Sequence, residues 1–203
     1  MNVALQGQRI AILATDGVEQ SELEQPRRAL DEAGATTHLI APADGSIQAM
    51  NHDEQGSRIP VDRTLAAARA VDYDALVLPG GLGNPDRLRV NEHAVQFVRE
   101  FMLADKPVAA ICHAPWMLVE SDAVSGRTLT SWPSLQTDIR NAGGKWVDAE
   151  VQVDHRLITS RKPEDLPAFC AAIVHEFARQ VESPEVRAAR SRADAEIAPR
   201  FAL

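Results

Sequence analysis

Short apolar runs alternate with helical patterns along most of the chain. Runs of four to six residues rich in Ile, Leu, Val and Ala, bounded by polar residues, Gly or Pro, are typical of strands. We predict strands at 9–14, 37–41, 75–78, 108–111, 128–130, 150–153 and 156–159. Apolar residues at helical spacing predict helices at 21–33, around 94–102, and in a closing stretch with Phe169, Cys170, Ile173, Val174, Phe177 and Val181 on one face.

The alternation of strands and helices predicts the fold class. Strands joined by helices pair in parallel through right-handed crossovers, so we expect an α/β, doubly wound sandwich with a mostly parallel central sheet. Between Ile47 and Val61 the sequence is short, polar and contains Gly, which predicts a small hairpin outside the main sheet.

The chain has 203 residues, of which 45% are hydrophobic, enough for one substantial core. We therefore expect one domain over residues 1–182. The segment 183–203 is rich in Ala, Arg and acidic residues and contains Pro184 and Pro199. It is either an amphipathic helix with a tail or a mobile end.

The net charge and the lack of targeting patterns indicate which classes of protein the chain does not belong to. A net charge of −8 and a pI near 5.2 give the chain no electrostatic attraction for nucleic acid. The first eight residues lack the pattern of a signal peptide, and no apolar run has the length of a membrane span, so we expect a cytoplasmic protein. The histidines show no metal-ligand spacing with another His or Cys, so we expect neither a metal nor a cofactor.

Cys112 follows a predicted buried strand and precedes Pro115, a residue that suits the first turn of a helix. Ala110 and Ala114 flank the cysteine, so a very sharp turn brings no collision of side chains. This arrangement predicts a nucleophile elbow with cysteine in place of serine. The helix amino terminus favours the thiolate, so we expect a thiol pKa below that of free cysteine. A buried, inert cysteine is the alternative interpretation of Cys112. For Cys170, in the apolar stripe of the closing helix, we expect a structural role.

Three segments follow parallel strands and are expected to meet at the carboxyl edge of the sheet. They are the acidic loop 16–22, the turn Gly80-Gly81, and Cys112-His113. The backbone N–H groups of Gly81 and His113 would form an oxyanion hole beside the sulfur. A carboxyl group from the acidic loop would keep its proton next to a thiolate and donate a hydrogen bond to it. The alternative for this loop is a solvated helix amino terminus.

Three motifs together resemble the DJ-1/PfpI superfamily. They are residues 109–115 around Cys112, the turn 79–81, and Glu22 four residues before Pro26. The stretches 130–134, 138–143 and 157–169 resemble its PfpI branch specifically, and the resemblance extends from about Arg9 to about Arg179. It implies a flavodoxin-like sandwich with a cysteine nucleophile elbow.

The resemblance also implies roles for individual residues. Cys112 would be the nucleophile and the site of oxidation, Glu22 the protonated carboxyl beside it, His113 the PfpI-type histidine, and Gly81 the oxyanion donor. In PfpI proteases a glutamate from a neighbouring subunit completes a Cys-His-Glu triad. Asp86 occupies the matching position here and is one methylene shorter, and a helix-start residue is its alternative interpretation.

Two further features concern the elbow. The PfpI pattern usually has Gly where this chain has Ala114, so we expect a slightly relaxed turn or a hindered substrate. A residue that follows the nucleophile usually points away from it, so we expect His113 to be oriented by a carboxylate or to contact a partner subunit rather than to act on the sulfur of its own chain.

Two functions are compatible with these residues. In the first, Cys112 attacks small reactive carbonyls or glycated groups, as in a deglycase, a glyoxalase-like enzyme or a weak peptidase of the same family. In the second, the protein is a non-enzymatic sensor of oxidative stress or a chaperone that uses reversible oxidation of Cys112. In either case the resemblance implies self-association, with a homodimer as the first expectation and a hexamer as the second.

Overall fold

A computed structural model describes residues 4–179 of the chain. The strands are β1 (Arg9–Leu13), β2 (Val18–Glu19), β3 (Thr36–Ala41), β4 (Ser46–Asn51), β5 (Glu54–Pro60), β6 (Arg63–Thr64), β7 (Ala75–Leu78), β8 (Val108–Ile111), β9 (Thr128–Leu129), β10 (Lys145–Trp146), β11 (Val151–Asp154) and β12 (Leu157–Ser160). The α-helices are α1 (Gln20–Glu32), α2 (Gly83–Arg89), α3 (Glu92–Leu103), α4 (Pro115–Glu120), α5 (Gln136–Asn141) and α6 (Leu166–Ala178).

The central sheet has seven strands in the order β11-β12-β8-β7-β1-β3-β6. All neighbours pair in parallel except β11 and β12, which pair antiparallel. Strands β7 and β8 are buried at every position, as expected of parallel strands covered by helices on both faces. The predicted α/β sandwich with a mostly parallel sheet is confirmed.

Alternate residues of the central strands pack into two separate hydrophobic cores, one on each face of the sheet. In β1, Ile10 and Ile12 face one layer and Ala11 and Leu13 the other. The first layer contains α1 and α6, whose buried residues include Leu23, Leu30, Phe169, Ile173 and Phe177. The second contains α2 to α5, whose buried residues include Leu88, Phe97, Phe101, Leu118 and Ile139.

Two small sheets lie outside the main one. The predicted hairpin is present as β4 and β5, and β2 joins it as a third strand. The stretch predicted as a strand at 128–130 forms β9, which pairs with β10 and not with the central sheet. A two-residue strand leaves too weak a pattern in the sequence to show which sheet it joins. Val181 and the predicted extension 183–203 lie outside the described residues.

No helix within residues 4–179 is long and apolar enough to cross a membrane.

Candidate functional site

Cys112 lies directly after β8 in the left-handed region, with φ of +63°. A non-glycine residue in this conformation costs on the order of 1 to 3 kcal/mol and persists only where its surroundings hold it. Here the Cys112 N–H donates to the carbonyl of Ser160 at 3.1 Å, and the Cys112 carbonyl accepts the N–H of Trp132 at 2.8 Å. The Cys112 backbone is therefore held in a strained left-handed conformation by β12 on one side and by the loop after β9 on the other.

The residues after the elbow differ from expectation in two ways. Ala114 has φ of −56°, so its methyl group costs no backbone strain and the departure from Gly at this position is accommodated. Helix α4 begins at Pro115, as the sequence predicts, but it has only six residues, so its dipole is small. The expectation that this helix lowers the thiol pKa loses its main support.

The turn after β7 brings backbone close to the sulfur. A Cβ built on Gly80 would lie 2.7 Å from the Cys112 Cβ and 2.6 Å from Glu22 Oε2, so the approach of these groups requires glycine. Gly81 has φ of +78°, which favours glycine again. The backbone N–H groups of Gly81 and His113 interact with the Cys112 sulfur and act to lower its pKa. The structure thus brings the two expected oxyanion donors to one atom.

Asn84, a residue not predicted from the sequence, holds this turn in place. Its amide nitrogen donates to the carbonyls of Pro79, at 2.8 Å, and Gly80, at 3.0 Å, and its Oδ1 accepts the N–H of Thr15 at 2.8 Å. The side chain is buried, and both its amide nitrogen and its oxygen form hydrogen bonds, so it connects the ends of β1 and β7. The only signal in the sequence is an amide shortly after the Gly-Gly turn.

Glu22, in the first turn of α1, is completely buried at the end of β7. Its Oε2 accepts the N–H of Gly80 at 2.8 Å, whereas Oε1 is buried without a hydrogen-bond partner in the described residues. Burial raises the pKa of Glu22 to about 8, and the charge of Glu19 acts in the same direction. The carboxyl therefore holds its proton at neutral pH.

The Cys112 thiol is also buried, with 6% of the residue exposed. Burial raises the pKa of this thiol, and an ionised Glu22 raises it further because two negative charges would face each other. The low thiol pKa expected from the sequence is thus opposed by burial. Because both groups are acids in one buried site, their titrations are coupled.

The His113 imidazole lies against the sulfur of its own chain, which the sequence analysis did not expect. Its Nδ1 is 3.2 Å from Cys112 Sγ. The elbow conformation turns the chain so sharply that consecutive side chains face one another. Burial lowers the pKa of His113, so the ring is neutral at pH 7 and can exchange a proton with the sulfur.

Two tryptophans fix the plane of that ring. Trp132 stacks on His113 with centroids 5.6 Å apart and an angle of 24°, and Trp116 contacts the ring in a tilted arrangement at 5.4 Å. The Trp116 Nε1 donates to Asp138 Oδ2 at 2.8 Å. Trp132 and Asp138 lie in stretches that resemble the family, and Trp116 lies just outside them. Nothing in the spacing of these residues shows that they meet at the histidine.

These groups open into a cleft of about 570 Å³. Its lining includes Cys112, His113, Glu22, Gly81, Trp132, Leu82, Arg87, Glu19, Met50, His52, Asp53 and Glu164. Asp86 lies on the exposed side of α2 and does not line the cleft, so one subunit alone does not bring it to His113.

The second cysteine, Cys170, lies outside the cleft of Cys112. Cys112 and Cys170 are both free thiols, and Cys170 lies partly buried against the core of the α1 and α6 layer, where burial raises its pKa to about 11. Within residues 4–179 no cluster of three or more His, Cys, Asp or Glu side chains could hold a metal ion.

The sequence profile of the DJ-1/PfpI family matches residues 8–176. The chain is 39% identical to general stress protein 18 of Bacillus subtilis, over 80% of this chain and 94% of that protein. It is likewise 39% identical to protein/nucleic acid deglycase 2 of Escherichia coli, over 79% of this chain and 92% of that protein. The crystal structure of DJ-1beta from Drosophila melanogaster superimposes with a TM-score of 0.76 at 30% identity, covering 84% of this chain and 90% of that one.

Proposed function

Because the chain belongs to the DJ-1/PfpI family, we propose that it acts in the stress response by using Cys112 to attack small reactive carbonyl compounds or glycated groups. The observation that carries this proposal is the buried pair of Cys112 and Glu22, whose side chains interact. The Glu22 oxygen Oε1 has no assigned hydrogen-bond partner in the described residues. A relative named as a deglycase supports the substrate class.

The pair is proposed to carry one negative charge and to hold it on sulfur. An ionised Glu22 raises the pKa of the Cys112 thiol, whereas a protonated Glu22 lowers it. Its Oε1–H then donates a hydrogen bond to the thiolate, and the carboxyl no longer carries a negative charge. The N–H groups of Gly81 and His113 favour the same state. Only Oε1 is free to carry this proton, since Oε2 accepts from Gly80.

For a 2-oxoaldehyde the reaction balances without an added oxidant. The thiolate forms a bond to the aldehyde carbon C1, and the electron pair of the C=O bond moves to oxygen, giving a hemithioacetal held by the oxyanion donors. His113 moves the C1 hydrogen as a proton to C2, which oxidises C1 to a thioester and reduces the C2 carbonyl to an alcohol. Water then cleaves the thioester, releasing a 2-hydroxy acid and the thiol.

Turnover of glyoxal tests this proposal. We expect glycolate to form with the wild type, and the rate to fall by a factor of on the order of 100 or more in Cys112→Ser and His113→Ala. Cys170→Ala is the matched control and should retain the wild-type rate. Equal rates for wild type and Cys112→Ser would refute a carbonyl chemistry based on this cysteine.

A second candidate function is a sensor of oxidation. Oxidised Cys112 would carry sulfur-bound oxygens, and Oε1 of a protonated Glu22 could donate a hydrogen bond to one of them. General stress protein 18 as a relative agrees with this output. Wild-type protein that fails to convert glyoxal but forms a stable sulfinate at Cys112 would favour the sensor.

A further inference from the structure

Arg87 lines the cleft that contains Cys112, and the proposed reaction does not use it. Among the described residues that line this cleft, it is the one with a permanent positive charge. No carboxylate within residues 4–179 forms an ion pair with it. Within the described residues, the Arg87 charge therefore has no ion-pair partner, and it lies at an exposed position of the cleft.

The guanidinium is held against backbone. Its Nη1 donates to the carbonyl of Asp16 at 3.0 Å, which uses one of the five N–H donors of the group. The side chain lies over Gly17 and Gly83, and a Cβ built on Gly17 would come within 2.9 Å of Nη1. The two glycines thus leave the space that the guanidinium occupies, while its other donors remain available to a ligand.

The same wall of the cleft joins Arg87 to the reactive sulfur. The N–H of Gly81 interacts with Cys112 Sγ, and Gly81 itself packs against the backbone carbonyl of Gly17. Gly17 in turn packs against Arg87. A compound whose carbonyl carbon lies at the sulfur can therefore extend along two glycines towards the guanidinium.

The charges elsewhere in the cleft give such a compound one orientation. Asp53 enters from the turn between β4 and β5, and Glu164 from the segment between β12 and α6. Glu19 also lines the cleft, and its Oε2 accepts the N–H of His52 at 2.9 Å. An anionic group is repelled near these carboxylates and attracted at Arg87.

We propose that Arg87 binds the carboxylate of a carbonyl substrate and so makes the site selective for carbonyl compounds that carry an acidic group. A guanidinium binds a carboxylate through two parallel N–H donors, which gives direction as well as charge. This inference rests on the proposed function, because it concerns the substrate of the same cysteine.

Alkylation of Cys112 by two reagents of similar shape and different charge tests the inference. Iodoacetate carries a carboxylate and iodoacetamide a neutral amide, and both react with the thiolate. The rates are measured in the full chain with Cys170→Ala, and the ratio of the iodoacetate rate to the iodoacetamide rate is compared among variants. We expect Arg87→Gln to lower this ratio by at least about threefold and Arg87→Lys to retain part of it.

Arg99→Gln is the matched control, since it removes the same charge from α3, away from the cleft, and should leave the ratio unchanged. A ratio in both Arg87 variants equal to that of wild type would overturn the inference. The iodoacetamide rate alone reports the reactivity of the thiolate. Slow reaction with iodoacetamide in every variant would instead count against the proposed function, so the two failures are distinguishable.

Discussion

The His113 imidazole lies nearly parallel to the Trp132 indole, at a centroid distance of 5.6 Å, and its Nδ1 faces the Cys112 sulfur at 3.2 Å. The backbone N–H of Trp132 also binds the Cys112 carbonyl. One tryptophan therefore orients the histidine through its ring and the cysteine through its backbone. Trp132 is a positioning residue for both.

Removal of the indole should change the titration of His113. Burial lowers the pKa of this imidazole, so we expect Trp132→Ala to expose the ring and to raise its pKa towards the ordinary value of about 6.5. Trp132→Phe retains an aromatic face and should stay close to wild type. The measurement is the pH titration of the His113 ring signals by NMR.

Trp146→Phe is the control for this comparison, because the Trp146 Nε1 donates to Ser131, next to Trp132, at 3.0 Å. The ring contacts of His113 within residues 4–179 are with Trp116 and Trp132. An identical His113 titration in Trp132→Ala and wild type would remove the positioning role.

Glu22 should make the stability of the protein depend on pH. Burial raises the pKa of the Glu22 carboxyl in the folded chain from its ordinary value of 4.5 to about 8. Between these values the folded state binds a proton that the unfolded state lacks, so stability falls as the pH rises. The contribution is fully present below about pH 4.5 and is lost as the pH passes through about 8.

Denaturant unfolding at pH 5 and pH 8 measures this effect, with Cys112→Ser as the background to remove the thiol titration. We expect the free energy of unfolding of Cys112→Ser to fall between these pH values by more than that of Cys112→Ser with Glu22→Gln. Parallel pH profiles of the two proteins would mean that Glu22 is ionised in the folded state.

Mild peroxide should oxidise Cys112 before Cys170. Burial raises the pKa of both thiols. At Cys112 the N–H groups of Gly81 and His113 and the proposed proton of Glu22 oppose this effect and favour the thiolate, whereas burial is the one cause that acts on Cys170 in α6 and raises its pKa to about 11. Peptide mass spectrometry at low conversion is the measurement. Equal modification of both cysteines, or a disulfide between them, would contradict this order.

Self-association is predicted from the family and bears on Asp86. The Asp86 carboxyl is exposed on α2 and does not line the cleft of its own subunit. Only a neighbouring subunit could bring such a carboxyl to His113. Analytical ultracentrifugation at micromolar concentration should show a homodimer or a larger assembly, and a monomer would exclude any role of Asp86 in a triad.

The sheet and the location of the site could be predicted because they follow from local patterns. The buried run 108–111 fixes β8, and parallel strands bring Glu22, Gly81 and Cys112 to one edge. The contact between His113 and the sulfur could not be predicted, because it depends on φ of +63° at Cys112. This conformation is held by two backbone hydrogen bonds, one donated by Cys112 to Ser160 and one accepted by Cys112 from Trp132. Asn84 and Trp132 likewise act through contacts distant in sequence.

The length of the helix after Cys112 could not be predicted from the sequence either. The pattern after Pro115 predicts a helix but not that it ends after six residues at Glu120. A helix this short contributes little to the charge state of Cys112, so we propose that the proton of Glu22 stabilises the thiolate together with the N–H groups of Gly81 and His113. The protonation of Glu22 is thus central to the proposed reactivity.

The most direct test is the rate of Cys112 alkylation by iodoacetamide as a function of pH, in the Cys170→Ala background, for wild type, Glu22→Gln and Glu22→Asp. With Glu22 donating its proton to the thiolate, we predict a wild-type midpoint below the free-cysteine value of about 8.5, a similar midpoint for Glu22→Gln, which keeps a donor, and a higher one for Glu22→Asp, which withdraws it. A wild-type midpoint at or above about 8.5, or a Glu22→Gln midpoint well below that of wild type, would show that Glu22 does not stabilise the thiolate and would contradict the account.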